Sequence, residues 1–509
     1  MNAFEPAIAA GRIDASLMEV NAALAQIRDV VGEAGWLAAP GDIEPYLTES
    51  RGLYRGATRL VVRPASTDEV SRVVALCAAA GLKVIPQGGN TGLCGAAVPP
   101  GDSPNIVLSL SRMRRVRAID PENFTLTVEA GCVLADIQAI AEQHDRLFPL
   151  SLGAQGSCQI GGNLSTNAGG VQVLRYGNAR ELTLGVEVVL PDGRVMNSLR
   201  LLRKDNTGYD LKHLFIGAEG TLGIITAATL KLYPKPVSHS TAIFALPSLD
   251  AVIELLSLAR TMTADLLTAF EFIPRFGVEI AARHVEGVRD PLDAPSPWYV
   301  LLEMSTSARD ASLDAVMEGV FAAALEADSV TDGVIATTEQ QRQAFWKIRE
   351  GVVEAQKGEG ASLKYDVSVP VTSVPSFVKA AIEACRQISA NVRPLAFGHV
   401  GDGNVHFNLT APIGDDGTFI ATAAAFEDAV FDLVASMNGS ISAEHGIGLT
   451  KKRALACYKS AVELDVMRKI KSVLDPQMLF NPDKVLMSPE SGAAKAGAAI
   501  SERVRHAAA

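Results

Sequence analysis

The sequence lacks the features that would place it among secreted, membrane-spanning or disulfide-rich proteins. Its six cysteines are scattered without a CxxC pair, which excludes a cysteine-based zinc motif and disfavours a disulfide scaffold. No apolar run reaches the roughly 18 residues that a membrane-spanning helix needs. The N-terminus shows neither a secretory signal nor the arginines of a transit peptide. We therefore expect a cytoplasmic protein with reduced thiols and no transmembrane segment.

An excess of positive charge is also missing. The formal net charge is −11 at pH 7, whereas a phosphate backbone requires a concentrated basic surface. No nucleic-acid partner is therefore expected. A small anionic substrate remains compatible with this charge, because a few local cations can dominate a pocket.

The organisation of the chain follows from its changing pattern. An amphipathic helix is predicted near residues 17–34, and strand and helix patterns then alternate, with Thr67 as the expected N-cap of one helix. Asp192 and Gly193 mark a hairpin turn. We place a boundary near residue 236, after which a second α/β region begins. The predicted division is an N-terminal helical segment (1–45), two domains (46–236 and 237–440), a C-terminal segment (441–487) and a flexible tail (488–509).

Two glycine-rich segments follow apolar runs. One is PQGGNTGLCG from Pro86, and the other runs from SLGAQGS at Ser151 through IGGN to TNAGG at Gly170. Glycine lets a backbone approach a ligand closely, and its freed N–H groups form anion sites. A pyrophosphate needs such a surface, although one such cluster alone could equally be an ordinary loop. Neither segment fits GxGxxG or the Walker A pattern, so a nicotinamide Rossmann domain is not supported.

The segment FGHVGDGNVHFNL predicts a β-hairpin. If Asp402 and Gly403 are the two turn residues, His399 pairs directly with His406 and their Cβ atoms lie about 4.5–5.5 Å apart. Asn408 falls on the same face, because side chains alternate along a strand. Two imidazoles so placed can bind one metal.

The chain has eight histidines, and the third notable one, His445, follows Glu444 in the segment SAEHGIG. Two histidines and a carboxylate with an open coordination position form a Lewis-acid site. From spacing alone, His399 and His406 could equally be an ordinary hydrogen-bonded pair in a sheet.

These motifs resemble a known family. PQGGNTGLCGAAVP, SLGAQGSCQIGGNLSTNAGG and GAEGTLGIIT resemble the flavin-binding segments of the vanillyl-alcohol-oxidase (PCMH-type) fold, most closely its D-lactate and D-2-hydroxyglutarate dehydrogenase group. The resemblance covers residues 45–487. It implies an α+β fold with a two-subdomain PCMH-type FAD-binding domain, a substrate-binding cap domain with an antiparallel sheet, and a C-terminal segment that returns to the flavin domain.

The resemblance also implies which residues contact FAD. Members with a covalent flavin carry a histidine near the position of Asn90, so the FAD is expected to be bound non-covalently here. The implied FAD contacts are Pro86, Gly88, Gly89, Asn90, Thr91, Gly92, Ser157, Gly161, Asn163, Thr166, Asn167, Gly170 and Ile225.

The same family supplies roles for the remaining polar residues. It implies that His399, His406 and Glu444 ligate Zn²⁺ or another divalent metal, and that His445 is the catalytic base and contacts substrate. It also implies that Arg349 and Lys364 bind the substrate carboxylate and that Asn408 orients the substrate or a metal-bound water. One departure concerns Val353, because D-2-hydroxyglutarate members often carry threonine there. Without the resemblance, Arg349 and Lys364 could as well be surface charges.

The expected reaction is the oxidation of a small D-2-hydroxy acid, with D-2-hydroxyglutarate as the first candidate, by hydride transfer to flavin N5. The sequence shows no haem, iron–sulfur or second nucleotide motif, so an external acceptor is implied: an electron-transfer flavoprotein, a quinone or a keto acid. Alternatives are a D-lactate, D-malate or glycolate dehydrogenase, a non-catalytic flavin-binding subunit, and a flavin-free metallohydrolase. A homodimer is compatible with the family, though no interface is visible.

Overall fold

The computed structural model describes residues 5–101, 103–309 and 312–487, with side chains from residue 18 onward. The predicted tail, 488–509, lies outside the described residues. Three sheets of four, five and seven strands organise the described chain. In this part of the protein, no helix is long and apolar enough to cross a membrane.

The first sheet is small and mixed. Strands β2, β4 and β3 run parallel, and β1 closes one edge antiparallel to β2. Two helices bury their apolar stripes against it, and the core includes Ile27, Val73 and Leu108. The elements are α1 (Glu5–Val31), β1 (Trp36–Leu37), α2 (Pro40–Ile43), β2 (Val61–Val62), α3 (Thr67–Ala80), β3 (Lys83–Gln87) and β4 (Asn105–Ser109).

The cap of α3 differs by one residue from the prediction. Ser66 has extended backbone angles and its hydroxyl accepts from the N–H of Glu69, which is the N-cap arrangement. Thr67 lies inside the helix and donates instead to the Glu187 carboxylate on a neighbouring sheet. Two adjacent hydroxyl residues compete for the cap, and tertiary contact decides between them.

The second sheet is antiparallel, with the order β5-β6-β10-β8-β9. The predicted turn at Asp192 and Gly193 joins β8 to β9, with Gly193 at φ +85°. The elements of this region are β5 (Val116–Asp120), β6 (Thr125–Glu129), α4 (Leu134–Gln143), β7 (Arg146–Leu147), α5 (Ile160–Ser165), α6 (Val173–Tyr176), β8 (Thr183–Val189), β9 (Val195–Ser198), α7 (Lys212–Phe215), β10 (Ile224–Lys231) and β11 (Tyr233–Pro234). Strands β7 and β11 pair with each other in a separate two-stranded sheet.

The third sheet is the predicted antiparallel cap sheet, with the order β15-β12-β14-β13-β17-β18-β16. Helices α8, α10, α12 and α14 contribute to the large apolar core on one face, whereas α9 and α11 contribute to the core on the other. Its elements are β12 (Ser238–Leu246), α8 (Leu249–Thr263), β13 (Leu267–Pro274), α9 (Arg275–His284), β14 (Trp298–Thr306), α10 (Leu313–Glu326), β15 (Asp332–Ile335), α11 (Glu339–Ala355), β16 (Ser362–Ser368), α12 (Val374–Ile388), β17 (Arg393–His399), β18 (Asn404–Thr410), α13 (Asp416–Ala421) and α14 (Ala423–Ser436).

The last segment returns to the first sheet, as expected. After α15 (Lys452–Tyr458) and α16 (Ala461–Leu474), the N–H of Val84 donates to the carbonyl of Leu479 and the N–H of Asn481 donates to the carbonyl of Val84. Phe480 is fully buried in the core of that sheet. The end of the described chain is therefore part of the first subdomain.

Candidate functional site

A cleft lies between the first and second sheets, and we call it the glycine cleft. Residues from 86–97, 110, 130, 158–166, 219–225 and Asn481 line it. A Cβ on Gly89 would lie 2.2 Å from the carbonyl oxygen of Ser157, so the two glycine-rich segments pack where a side chain has no room. The predicted residues that line the cleft are Pro86, Gly88, Gly89, Asn90, Thr91, Gly92, Gly161, Asn163, Thr166 and Ile225.

Three other predicted residues lie beside this lining. The carbonyl of Ser157 abuts Gly89, and a Cβ on Gly170 would meet the carbonyl oxygen of Ser151 at 1.8 Å. The Asn167 side chain accepts from the N–H of Arg180. In the structure these residues shape the loops that border the cleft.

Several buried polar atoms in the cleft lack a hydrogen-bond partner within the described residues. The side-chain oxygens of Gln159, Asn163 and Asn481 are buried and, within the described residues, accept no hydrogen bond. Such atoms are costly unless a bound group satisfies them. A polar ligand with several donors, such as the ribityl chain and isoalloxazine ring of a flavin, fits this lining.

Asn90 occupies a special backbone position in the first loop. Its φ is +53°, a region that asparagine tolerates better than most residues. Its side chain donates to the carbonyls of Pro45 and Thr48, at 3.2 and 2.8 Å. Asn90 therefore fastens the loop to the segment that precedes β2.

Glu219 connects the cleft to the C-terminal segment, and the sequence reasoning missed it. Its buried carboxylate accepts from the N–H groups of Ile447 and Gly448, at 2.7 and 2.8 Å. Burial raises the pKa of Glu219. Gly446 and Gly448 have positive φ values, which lets this turn wrap around the carboxylate. The turn that follows His445 is thereby fixed to the edge of the cleft.

The predicted hairpin forms, but its register was wrong. Phe397, rather than His399, lies opposite His406, because Val400–Asp402 form a 3₁₀ turn and Gly403 adopts φ +82°. His399 pairs instead with Glu271 on β13. The slip is two residues, so both histidines remain on one face. Their ring centroids are 5.4 Å apart, and the expected proximity is confirmed.

Glu444 completes a group of three potential ligands. One ligand atom each from His399, His406 and Glu444 lies within 4.8 Å of the others, and His399 Nε2 is 3.8 Å from Glu444 Oε1. Burial lowers the pKa of His406 to about 3 and raises that of Glu444 to about 7. The donor set of two imidazoles and one carboxylate matches the ligands that zinc and similar cations prefer.

Glu271 holds His399 from behind. Its carboxylate lies 2.5 Å from His399 Nδ1 and accepts from Arg349 Nε at 2.7 Å. Burial acts to raise the pKa of Glu271, but the charges of His399 and Arg349 outweigh burial and bring it to about 2. This contact leaves Nε2 of His399 facing Glu444. The carboxylate thus selects the ring nitrogen that would bind a metal.

The Arg349 side chain is held by contacts within the protein, in addition to its expected role in binding the substrate carboxylate. It is buried beneath the site on α11, bonded to Glu271, and stacked over the Phe397 ring at 4.8 Å. Only its Nε is used in the contact with Glu271. The rest of the guanidinium is available to a ligand anion.

Asp366 joins the two remaining histidines. It lies opposite His406 in the β16–β18 pair, and its carboxylate accepts from the N–H groups of Glu444 and His445 at 2.8 and 3.0 Å. It also lies 3.6 Å from His406 Nδ1 and 3.5 Å from His445 Nδ1. Burial acts to raise the pKa of Asp366, but His445, Lys451 and His406 lower it overall. One ionised carboxylate therefore orients both rings.

The residues expected to contact substrate gather around this group. His445 is largely enclosed, and burial lowers the pKa of its imidazole. Lys364 pairs with Asn408 across the strands, and the Asn408 amide donates to Gln356 at 2.9 Å. Val353 has 42% of its surface exposed. A Cβ on Gly169 would lie 3.3 Å from Glu444, so the ligand group borders the second glycine segment.

Comparison with known proteins agrees with this architecture. Residues 58–198 match the family model described as FAD binding domain, and residues 235–485 match that for FAD linked oxidases, C-terminal domain. Among solved structures, p-cresol methylhydroxylase aligns with a TM-score of 0.72 at 16% identity, over 92% of this chain and 97% of that one. The 4-ethylphenol oxidase of Gulosibacter chungangensis gives 0.71 at 16%, over 93% and 98%. The chain is thus an FAD-binding oxidoreductase of the vanillyl-alcohol-oxidase (PCMH-type) fold.

Curated relatives narrow this class. The chain is 41% identical to the probable mitochondrial D-2-hydroxyglutarate dehydrogenase of Oryza sativa subsp. japonica, over 90% of this chain and 80% of the relative. It is 41% identical to the Danio rerio enzyme of that name, over 85% and 79%. A Saccharomyces cerevisiae D-2-hydroxyglutarate–pyruvate transhydrogenase is 37% identical, over 88% and 90%. The chain belongs to the family of the FAD-dependent D-2-hydroxyglutarate dehydrogenases.

Proposed function

We propose that the protein oxidises D-2-hydroxyglutarate to the 2-keto acid, with the help of a divalent metal. The observation that carries the proposal is the grouping of His399, His406 and Glu444 with His445 at the edge of the glycine cleft. This donor set beside a cleft that fits a flavin suits the oxidation of an alcohol, which must lose both a proton and a hydride. The names of the relatives supply the substrate.

The bound groups would supply distinct chemistry. The glycine cleft would hold FAD non-covalently, and the bound FAD would supply the oxidising centre for hydride transfer to flavin N5. His399, His406 and Glu444 would hold a divalent metal such as Zn²⁺, which would supply Lewis acidity toward the 2-hydroxyl.

The residues of the chain prepare the substrate. Arg349 and Lys364 bind carboxylate oxygens and Asn408 orients the substrate. With Nδ1 of His445 turned toward Asp366, Nε2 remains to take the proton of the 2-hydroxyl. Burial lowers the pKa of this imidazole, which favours the unprotonated form that a base requires.

The electron acceptor and the location belong to the same proposal. An external acceptor, whether an electron-transfer flavoprotein, a quinone or a keto acid, reoxidises the flavin. The yeast relative is named a transhydrogenase that uses pyruvate, which supports a keto acid. We expect a cytoplasmic location, although the plant and animal relatives are named mitochondrial.

A second candidate is a D-lactate dehydrogenase. Val353 stands where D-2-hydroxyglutarate members often carry threonine, and a Schizosaccharomyces pombe relative at 36% identity is named a putative D-lactate dehydrogenase. The single carboxylate of D-lactate would need only one of the two cations, Arg349 or Lys364, to bind it.

The test is direct. The protein is purified without chelator, and D-2-hydroxyglutarate, D-malate and D-lactate are added anaerobically to separate samples. Bleaching of oxidised flavin by D-2-hydroxyglutarate, and its loss after EDTA treatment, is the expected result. A yellow protein that none of these acids reduces would refute the substrate. Reduction unaffected by removal of the metal would refute metal assistance.

A further inference from the structure

The backbone of the turn around Arg51 is held by several hydrogen bonds, although the Arg51 side chain is exposed. Glu49 is buried and accepts from the N–H groups of Arg51 and Leu53, both at 2.6 Å. Thr48 forms a β-bridge with Arg55 and also accepts from the Asn90 amide at 2.8 Å. This turn, residues 48–55, is thus attached to the first glycine loop.

The same loop contacts the turn that follows His445. The carbonyl of Cys94 accepts from the N–H of Leu449 at 2.7 Å. A Cβ on Gly95 would lie 3.0 Å from the Tyr54 ring and 3.3 Å from the Leu449 side chain. Residues 48–55 and 446–449 therefore pack next to each other against the same short loop. This arrangement holds the turn that carries Arg51 beside the turn that follows His445.

The charge of Arg51 reaches the site. Burial lowers the pKa of Lys364, and the charge of Arg51 lowers that pKa further. The charge of Arg51 also lowers the pKa of His445, although burial and the charge of Lys451 have larger lowering effects there. Within the described residues, no carboxylate lies within 4.0 Å of the Arg51 guanidinium, and the Lys364 ammonium has neither an ion pair nor a hydrogen bond. Two cations, neither with a carboxylate of the described residues within 4.0 Å, therefore lie close enough to act on each other, and the charge of Glu354 acts on Lys364 less strongly than that of Arg51.

Arg51 and Lys364 differ from Arg349 in having no anion among the described residues paired with them. Arg349 already has Glu271 as its anion, so the protein itself neutralises that charge. Arg51 and Lys364 repel each other until an anion arrives between them, and a carboxylate there would gain charge-assisted hydrogen bonds from both. A substrate with one carboxylate near the metal ligands and a second between Arg51 and Lys364 would supply the anion that these two cations lack.

We propose that Arg51 is a specificity-determining residue, which with Lys364 binds the second carboxylate of a dicarboxylic 2-hydroxy acid. The inference rests on the proposed function, because it takes the 2-hydroxy acid as given. It assigns the preference for a dicarboxylate to a residue outside the cap domain. It also explains how the site can hold the longer acid without a hydroxyl at Val353.

The test compares two keto acids of equal length, one with and one without the second carboxylate. Titration calorimetry of the oxidised holoenzyme measures the Kd of 2-oxoglutarate and of 2-oxopentanoate for the natural protein and for Arg51→Met, Arg51→Lys and Arg55→Met. Arg55 is a matched control, since it lies in the same turn but is paired with Glu44 at 2.8 Å. Steady-state oxidation of D-2-hydroxyglutarate is measured in parallel.

We expect Arg51→Met to weaken 2-oxoglutarate binding by about 10- to 100-fold, the effect of one charge-assisted hydrogen bond, and 2-oxopentanoate binding by less than about 2-fold. KM for D-2-hydroxyglutarate should rise more than kcat falls, and Arg51→Lys should recover part of the loss. Arg55→Met should match the natural protein.

Three results would overturn the proposal: equal affinity of the natural protein for the two keto acids, equal weakening of both by Arg51→Met, or loss of bound flavin from that variant. The last would assign Arg51 to the cofactor. If the natural holoenzyme oxidises no 2-hydroxy acid at all, the proposed function itself fails, and the distinction is visible before any variant is made.

Discussion

The contact between Glu271 and His399 makes a quantitative prediction for Glu271→Gln. The glutamine keeps the volume but removes the charge that His399 Nδ1 and Arg349 Nε share. Loss of the carboxylate behind a metal-ligating histidine costs about 10- to 100-fold in metal affinity. Because Arg349 is then left as an unpaired buried charge, the free energy of unfolding should also fall by about 3–5 kcal/mol.

Glu303 provides a matched control. It is another buried carboxylate of the cap sheet, and it bonds to Arg342 at 3.1 Å and to the Trp346 ring nitrogen at 2.8 Å, away from His399. Glu303→Gln should lower stability without altering metal affinity. A double variant, Glu271→Leu with Arg349→Met, removes both charges and should regain stability while metal affinity stays weak.

The assays are competition with a chromophoric chelator for metal affinity and urea unfolding for stability. If Glu271→Gln binds the cation as tightly as the natural protein, Glu271 does not orient His399 and the reasoning is refuted. A natural protein that retains no divalent cation would refute the metal assignment itself.

Three further predictions concern other parts of the site. His445→Ala should lower kcat by about 10²–10⁴-fold with the flavin still bound, and full activity would remove His445 as the base. Gly89→Ala should empty the flavin site, because its Cβ would lie 2.2 Å from a backbone oxygen. A Cβ on Gly156, in the second glycine segment but outside the cleft lining, meets nothing within 4 Å, so Gly156→Ala should keep its flavin; equal flavin absorbance in both variants would contradict this. Burial lowers the pKa of Lys484 to about 8 from 10.5, so the unfolded chain binds more protons between these values and stability should rise with pH there, by up to about 3 kcal/mol. Urea unfolding at pH 7.5 and 10 should show this gain for the natural protein and not for Lys484→Met; parallel changes in both would count against it.

The sequence predicts the glycine loops and the proximity of His399 and His406 well, because both depend on local rules. A two-residue period survives a register error of two, so the histidines stay on one face even though the turn was assigned to the wrong residues. The position of the N-cap at Ser66 rather than Thr67 depended on a tertiary contact with Glu187, which no local pattern contains.

Glu271 and Asp366 were missed for a related reason. Each comes from a strand far along the chain from the residue that it orients, so spacing gives no sign of the contact. A signal was nevertheless present, because both are single acids inside apolar strands, in TAFEFIP and LKYDVSV. A buried carboxylate requires a partner, and the only question was which one.

The return of residues 479–481 to β3 has a consequence for how the protein is made. The glycine cleft needs Asn481, whose amide donates to the carbonyl of Glu219, as well as loops that begin at Pro86. A ribosome releases these residues nearly 400 positions apart, so a nascent chain exposes an unfinished cleft through most of its synthesis. Cofactor capture therefore has to wait until residues 479–481 have been synthesised, and we expect a stop codon before residue 479 to yield a protein that cannot load its flavin.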